Sequence, residues 1–272
     1  MGLAFSLEFL WIAVSGQWFG DAHIFWFNTP TTMYLDYHVG YGTGYAYAPA
    51  FAQLIYPLHA LPWPVFSTLW SAMLAAVLWW LLRGTPRGWW LCLALLALPD
   101  VLIGNVHLLV AAAIVVGFTV PASWTFILLT KVPSGAGLLW FAVRREWRPL
   151  ATALLATAIV VAISLVLDPG LWRDWTAALW ENRDAQGAGV PIVPGLIVRG
   201  PLAVIVAILG ARKGWRWTVL VAALIALPHI WIQSAAMFAG LPRLLRADQR
   251  AGEVAPAAML PAGTAMRAPG PS

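Results

Sequence analysis

Four knots of basic residues interrupt an otherwise apolar chain: Arg83 with Arg87, Arg144 with Arg145 and Arg148, Arg212 with Lys213 and Arg216, and Arg243 with Arg246 and Arg250. Between them run stretches such as 64–82 and 149–167 that carry no charge at all. Runs near twenty apolar residues span a bilayer, where no water satisfies the backbone, so such a chain must be helical. With 61% apolar and 10% charged residues, the composition lies far from the even apolar share and quarter charge of soluble domains. A soluble fold, a disordered chain and a disulfide scaffold are excluded. The expected class is an all-α polytopic transmembrane bundle with about 8–10 membrane segments.

The net charge of +5 comes from knots that act as positive-inside signals, so it points to cytoplasmic loops and not to nucleic acid. Cys92 is the single cysteine and has no intrachain partner. The chain has no zinc-type spacing and no Asp-x-Asp pair, so neither a metal nor a metal-bound nucleotide sugar is expected, and no cofactor motif occurs.

A first span is expected over 2–19, with no basic residue before it to mark a cleaved signal peptide. Residues 20–62 lack Lys and Arg and are rich in aromatics, the pattern of an outer loop lying at the headgroup level. Within it 24–35 and 48–60 read as short interfacial helices, joined by a hinge at Gly40–Tyr45. A span over 64–82 precedes two shorter ones, 89–103 and 105–119, turning near Asp100 and Gly104. Both flanking Arg knots should lie inside, so 122–143 must be a hairpin broken at Lys131 and Pro133. Residues 149–167 cross outward to a second outer loop, 168–190, with an interfacial helix over Leu171–Trp180. Residues 191–211 return, and 217–242 form either one long kinked helix or a short hairpin broken at Pro228, which the final Arg residues favour. The membrane domain is set at 1–247, and 248–272, rich in Ala, Pro and Gly, reads as a disordered tail.

Polar groups are costly in such a chain, so each is a candidate for chemistry. A lysine within a span costs roughly 2.5–3.5 kcal/mol; Lys131 therefore either lines a polar cavity, where it could hold a phosphate, or snorkels from a short helix end. Asp21 follows the first span at the expected outer surface, as a general base or as a helix N-cap. His23, His38, His59, His107 and His229 supply proton-transfer or hydrogen-bonding groups. Asp36 and Asp100 read as solvated loop residues.

Four places in this order resemble glycosyltransferase family 87 over about 18–240. They are Asp21 with Phe25–Trp26; Tyr45–Phe51 through Pro57 and Leu61–Pro62 to Trp70; Gly104–Asn105–Val106–His107, where the family usually shows Gly-Gln-x-Asn; and Lys131–Val132–Pro133 followed by the exit Arg144–Arg148. The resemblance implies a GT-C fold in a bacterial cell membrane. It also implies a polyprenyl phosphate sugar donor, with mannose the expected hexose, and a lipid or glycan acceptor, reacting on the outer side with inversion and without metal. It assigns Asp21 as the base, Lys131 as the phosphate contact, Asn105, His23, His107 and His229 as supporting groups, and Tyr45 and Tyr47 as shaping the donor groove. A transporter or flippase of lipid-linked sugars is the alternative, which would need inverted repeats that the chain does not show; a shortened, non-catalytic relative that binds polyprenyl lipids is a further reading.

Overall fold

The computed structural model describes residues 20–34, 45–183, 190 and 192–257. The expected span over 2–19, Asp36 and His38 lie outside the described residues. Among those described, every regular element is a helix. The chain forms α1 (Gly20–Phe27), α2 (Pro49–Ile55) with a 3₁₀ turn over Tyr56–Ala60, α3 (Trp63–Leu82), α4 (Arg87–Ile103) and α5 (His107–Gly117). Next come α6 (Trp124–Thr130), a 3₁₀ stretch over Val132–Leu138, α7 (Leu139–Val143), α8 (Trp147–Leu167) and α9 (Pro169–Glu181). The last elements are α10 (Leu196–Lys213), α11 (Trp217–Ile225), a 3₁₀ stretch over Ile232–Gly240 and α12 (Leu241–Ala257). Prolines open several of them: Pro49 begins α2, Pro169 begins α9, and Pro64 and Pro133 stand in the first turns of α3 and of 132–138. There a missing N–H costs nothing.

The chain is an all-α membrane bundle, and several of its apolar runs are broken. Among the described residues α3 and α8 are long and apolar enough to cross a bilayer, and α4 with α5 makes a third candidate bent by 119° at its break. The stretches 121–130 and 132–143 are shorter apolar pieces. Gly104, Lys131–Pro133 and Pro228 divide the other apolar runs, and the pieces pack on one another. The stretch 232–240 lies against both α4 and α5, and α10 lies against α11 and α7.

The closest helix approach is set by Gly210 in α10, where an added Cβ would sit 1.6 Å from Thr218 Oγ1 of α11. Gly210→Ala is expected to destabilise the bundle by about 1–3 kcal/mol, the usual cost of overpacking. A thermal-unfolding midpoint in detergent equal to that of the unmodified protein would contradict this contact.

The basic knots meet at one end. Arg246 Nη2 donates to the Arg83 carbonyl at 3.0 Å, Arg243 Nε donates to the Trp80 carbonyl at 2.9 Å, and Arg144 Nη1 donates to the Ala211 carbonyl at 3.2 Å. The Asp248 carboxylate accepts from the Arg216 and Trp217 amides at 3.1 and 3.4 Å and so caps the start of α11. For that reason α12 runs on to Ala257, and the tail boundary expected at 248 moves outward. At the other end of α3, Trp26 Nε1 donates to the Leu61 carbonyl and Trp175 Nε1 to the Ala46 carbonyl, gathering α1, α2 and α9.

Candidate active site

The site is built on the break between α4 and α5. Gly104 takes a left-handed φ of +78°, which only glycine adopts without penalty. The amides of Gly104 and Asn105 both donate to the Asp100 carbonyl, at 2.9 and 3.1 Å, and Trp70 Nε1 donates to the Gly104 carbonyl at 2.8 Å. A Cβ on Gly104 would lie 2.4 Å from Ala22 Cβ, so α1 rests directly on the break. That approach places Asp21 beside Asn105, whose Nδ2 donates to Asp21 Oδ2 at 2.5 Å. The Val106 amide donates to Asn105 Oδ1 at 2.6 Å, so the orientation of the amide follows from its partners.

Asp21 lies in the first turn of α1. Its side chain goes to Asn105 and not to the helix end, so it does not serve as the N-cap that the sequence also allowed. Among the described residues its second carboxylate oxygen has no hydrogen bond, and the residue stays partly exposed. Burial pushes its pKa above the usual carboxylate value; Lys131, the Asn105 hydrogen bond and His107 pull it back, and Asp100 adds a smaller push upward.

Lys131 ends α6 with an extended φ of −135°. Its ammonium sits 5.1 Å from the centroid of the Tyr47 ring, a cation–π contact. Among the described residues it has no hydrogen-bonding acceptor and no ion pair, although Asp21 and Asp100 lie near enough to act on it electrostatically. Tyr47 belongs to a nest of rings with Phe25, Tyr45 and Phe51, at centroid separations of 5.4, 5.4 and 5.3 Å. Tyr34 donates to the Tyr47 carbonyl at 2.8 Å, which fixes the strand of chain beneath Lys131. The Tyr45 hydroxyl is buried and has no hydrogen-bond partner among the described residues. Beside the nest an apolar groove of about 540 Å³ is walled by α2, α6 and α8, with Phe51, Leu54, Phe126 and Ile163 along it and Thr130, next to Lys131, at its edge.

The structure thus brings together Asp21, Asn105, Lys131 and Tyr47, with Tyr45 in the same nest, while the histidines make other contacts. His23, two residues from Asp21 and hence on the opposite side of α1, packs against Trp63, Phe27 and Trp26. His107 is fully buried, with Nδ1 on Asp100 Oδ1 at 2.8 Å and Nε2 on Ser234 Oγ at 3.1 Å, so both ring nitrogens are spent. His229 lies half-buried on the break after α11, where the Leu227 and Pro228 carbonyls accept from Arg199. Asp100, read from sequence as a solvated loop residue, is completely buried; the broken span folds over it and supplies its donors. Ser234 and Arg199 escaped the sequence reading. Arg199 carried a signal, being the one charge within 191–211, while nothing marks a lone Ser.

Among the described residues no group of histidine, cysteine and carboxylate side chains could hold a metal ion. The family model for glycosyltransferase family 87 matches residues 45–266, a stretch that contains Tyr45, Tyr47, Asn105 and Lys131 and begins after Asp21. Comparison with curated proteins and with solved structures gave no match.

Proposed function

The chain belongs to glycosyltransferase family 87, and on that premise we propose that Asp21, Asn105 and Lys131 form the site where a hexose passes from a polyprenyl phosphate to a hydroxyl of a lipid or glycan acceptor. Mannose is the hexose we favour. The acceptor hydroxyl attacks the anomeric carbon and its proton passes to the free oxygen of Asp21. The bond from that carbon to the phosphate oxygen breaks, with inversion, and the electron pair leaves with the polyprenyl phosphate. Lys131 meets the phosphate anion, so in this reading an ammonium supplies the charge that other transferases take from a metal. Asn105 fixes the carboxylate, Tyr47 and Tyr45 bound the pocket, and the apolar groove beside Thr130 accommodates the first part of the lipid tail.

The observation that carries this reading is a carboxylate with an unbonded oxygen and an ammonium with no ion pair, both among the described residues, near enough to act on each other electrostatically. A structural role would bring the two charges into contact; here they act on each other without forming a salt bridge. Purified protein given radiolabelled polyprenyl phosphate mannose and a membrane-lipid extract should move label into a new product. Failure to transfer label from any polyprenyl phosphate hexose, with the lipid still bound, would favour a non-catalytic relative.

We place the site on the outer side of the cell membrane. Supporting this, the Arg knots gather at the end of the bundle away from Asp21, and 20–62 carries no basic residue. In a Cys92→Ala background, an impermeant thiol reagent applied to intact cells should modify Thr31→Cys and spare Gly88→Cys. The reverse pattern would turn the site inward and defeat this placement.

A further inference from the structure

Asp100, His107 and Ser234 form a chain of polar groups with no exposure to solvent at all. Ser234 Oγ lies 3.1 Å from His107 Nε2 and also accepts from the Trp231 amide at 3.1 Å, so its O–H is left to donate to the ring. The other ring nitrogen, Nδ1, then carries the hydrogen toward Asp100 Oδ1 at 2.8 Å. Asp100 Oδ2 accepts from the Leu108 amide at 3.1 Å, and the Asp100 carbonyl accepts from Gly104 and Asn105. One residue thus binds both sides of the 119° bend. Geometrically the chain resembles a nucleophile–base–acid relay, but Ser234 faces no cavity, so it attacks nothing. Buried polar groups of this kind specify one arrangement when every member is satisfied, and here every member is.

We infer that Asp100 is a positioning residue for the Asp21 carboxylate: gripping His107, Leu108, Gly104 and Asn105, it sets the break so that Asn105 Nδ2 meets Asp21. The inference rests on the proposal that Asp21 is the base. It assigns the fully buried polar chain to the reaction itself and not merely to the stability of the bend. Asp100 touches no substrate; it acts through Asn105. Misplacement of reacting groups by about 1 Å costs about 10²-fold, and the Asn105 hydrogen bond to Asp21 leaves little room for such movement.

Two substitutions at one position separate positioning from mere stability. In His107→Asn the side-chain NH₂ stands where Nδ1 stood and keeps the bond to Asp100, while the link to Ser234 is lost. In His107→Gln the amide reaches the Nε2 position and keeps Ser234, while Asp100 loses its donor. Both remove the ring equally. Beyond that ring, the charged groups acting on Asp21 among the described residues are Lys131 and Asp100, so the two variants present Asp21 with the same charges. His107→Asn should keep kcat within a few-fold, whereas His107→Gln should lose about 10²-fold in kcat with little change in KM for radiolabelled polyprenyl phosphate mannose. Loosening of the Asn105 bond, which lowers the Asp21 pKa, should also move the acid limb of kcat to higher pH in His107→Gln alone. A smaller folded fraction would scale the rate without moving that limb. Ser234→Ala serves as the mild control and should follow His107→Asn. Equal losses in the Asn and Gln variants, or losses with an unmoved acid limb, would overturn the inference while leaving the base intact. If Asp21→Asn still transfers sugar, the base assignment fails and this positioning role with it.

Discussion

Asp21→Asn should abolish sugar transfer, with a loss of about 10²–10⁴-fold, the usual worth of a positioned proton acceptor. The substitution keeps the size of the side chain and an oxygen that can still accept from Asn105 Nδ2. Asn105 is itself oriented by the Val106 amide, so it has no reason to turn. Burial disfavours the carboxylate charge, and the neutral amide removes that cost, so expression and unfolding in detergent should be unharmed. What vanishes is the capacity to take a proton from the acceptor hydroxyl, and donor binding should persist. Transfer kept near the unmodified level in Asp21→Asn would sink the base assignment. Because burial raises the Asp21 pKa, the acid limb of kcat in the unmodified protein should lie above the ordinary carboxylate range, activity being lost as falling pH protonates the group.

Lys131→Met should cost about 10²–10³-fold in transfer, the scale seen when one preorganised charge-stabilising donor is removed, and should weaken binding of polyprenyl phosphate. Stability should hold or improve, since among the described residues the ammonium gains the face of Tyr47 and distant carboxylates, but no hydrogen bond or ion pair, for its desolvation. The same change bears on Asp21. Lys131 is the largest influence holding the Asp21 pKa down against burial, so its loss raises that pKa and carries the acid limb of the rate to higher pH. Lys131→Arg keeps a cation and should leave the limb near its original position while transfer still falls, because the longer planar group displaces the phosphate. An acid limb that ignores Lys131→Met would mean the two charges do not share a site.

Much of the fold was legible because insertion in a membrane is a local matter of run length and charge. The span read at 64–82 is α3 over Trp63–Leu82, that at 149–167 is α8 over Trp147–Leu167, and the interfacial helix read at Leu171–Trp180 is α9 over Pro169–Glu181. The breaks at Gly104, Lys131–Pro133 and Pro228 follow from residues that cannot continue a helix or are costly within one. Less legible was what the broken pieces do next. Hydropathy counts an apolar run as a crossing, whereas short pieces on either side of a break satisfy themselves by packing together, as 232–240 does against α4 and α5. The helical run of α12 past residue 248 was hidden for a related reason: its anchor, the Asp248 carboxylate on the Arg216 and Trp217 amides, joins residues some thirty apart.

By itself the sequence determined that this chain is a helical membrane protein, where its helices break, and that Asp21 and Lys131 are polar groups placed at a cost. These are properties of short windows, governed by the cost of leaving water. Only the tertiary structure decided which polar groups meet. Asp21 and Asn105 are separated by 84 positions, and their contact depends on a glycine small enough to admit Ala22. His107, Asp100 and Ser234 close on one another, so a histidine that sequence offers as a donor to substrate is consumed inside the fold. His23 turns to Trp63 because two residues along a helix point to opposite sides. Each such outcome depends on how the helices pack around a handful of close approaches, and no window of the chain holds that information.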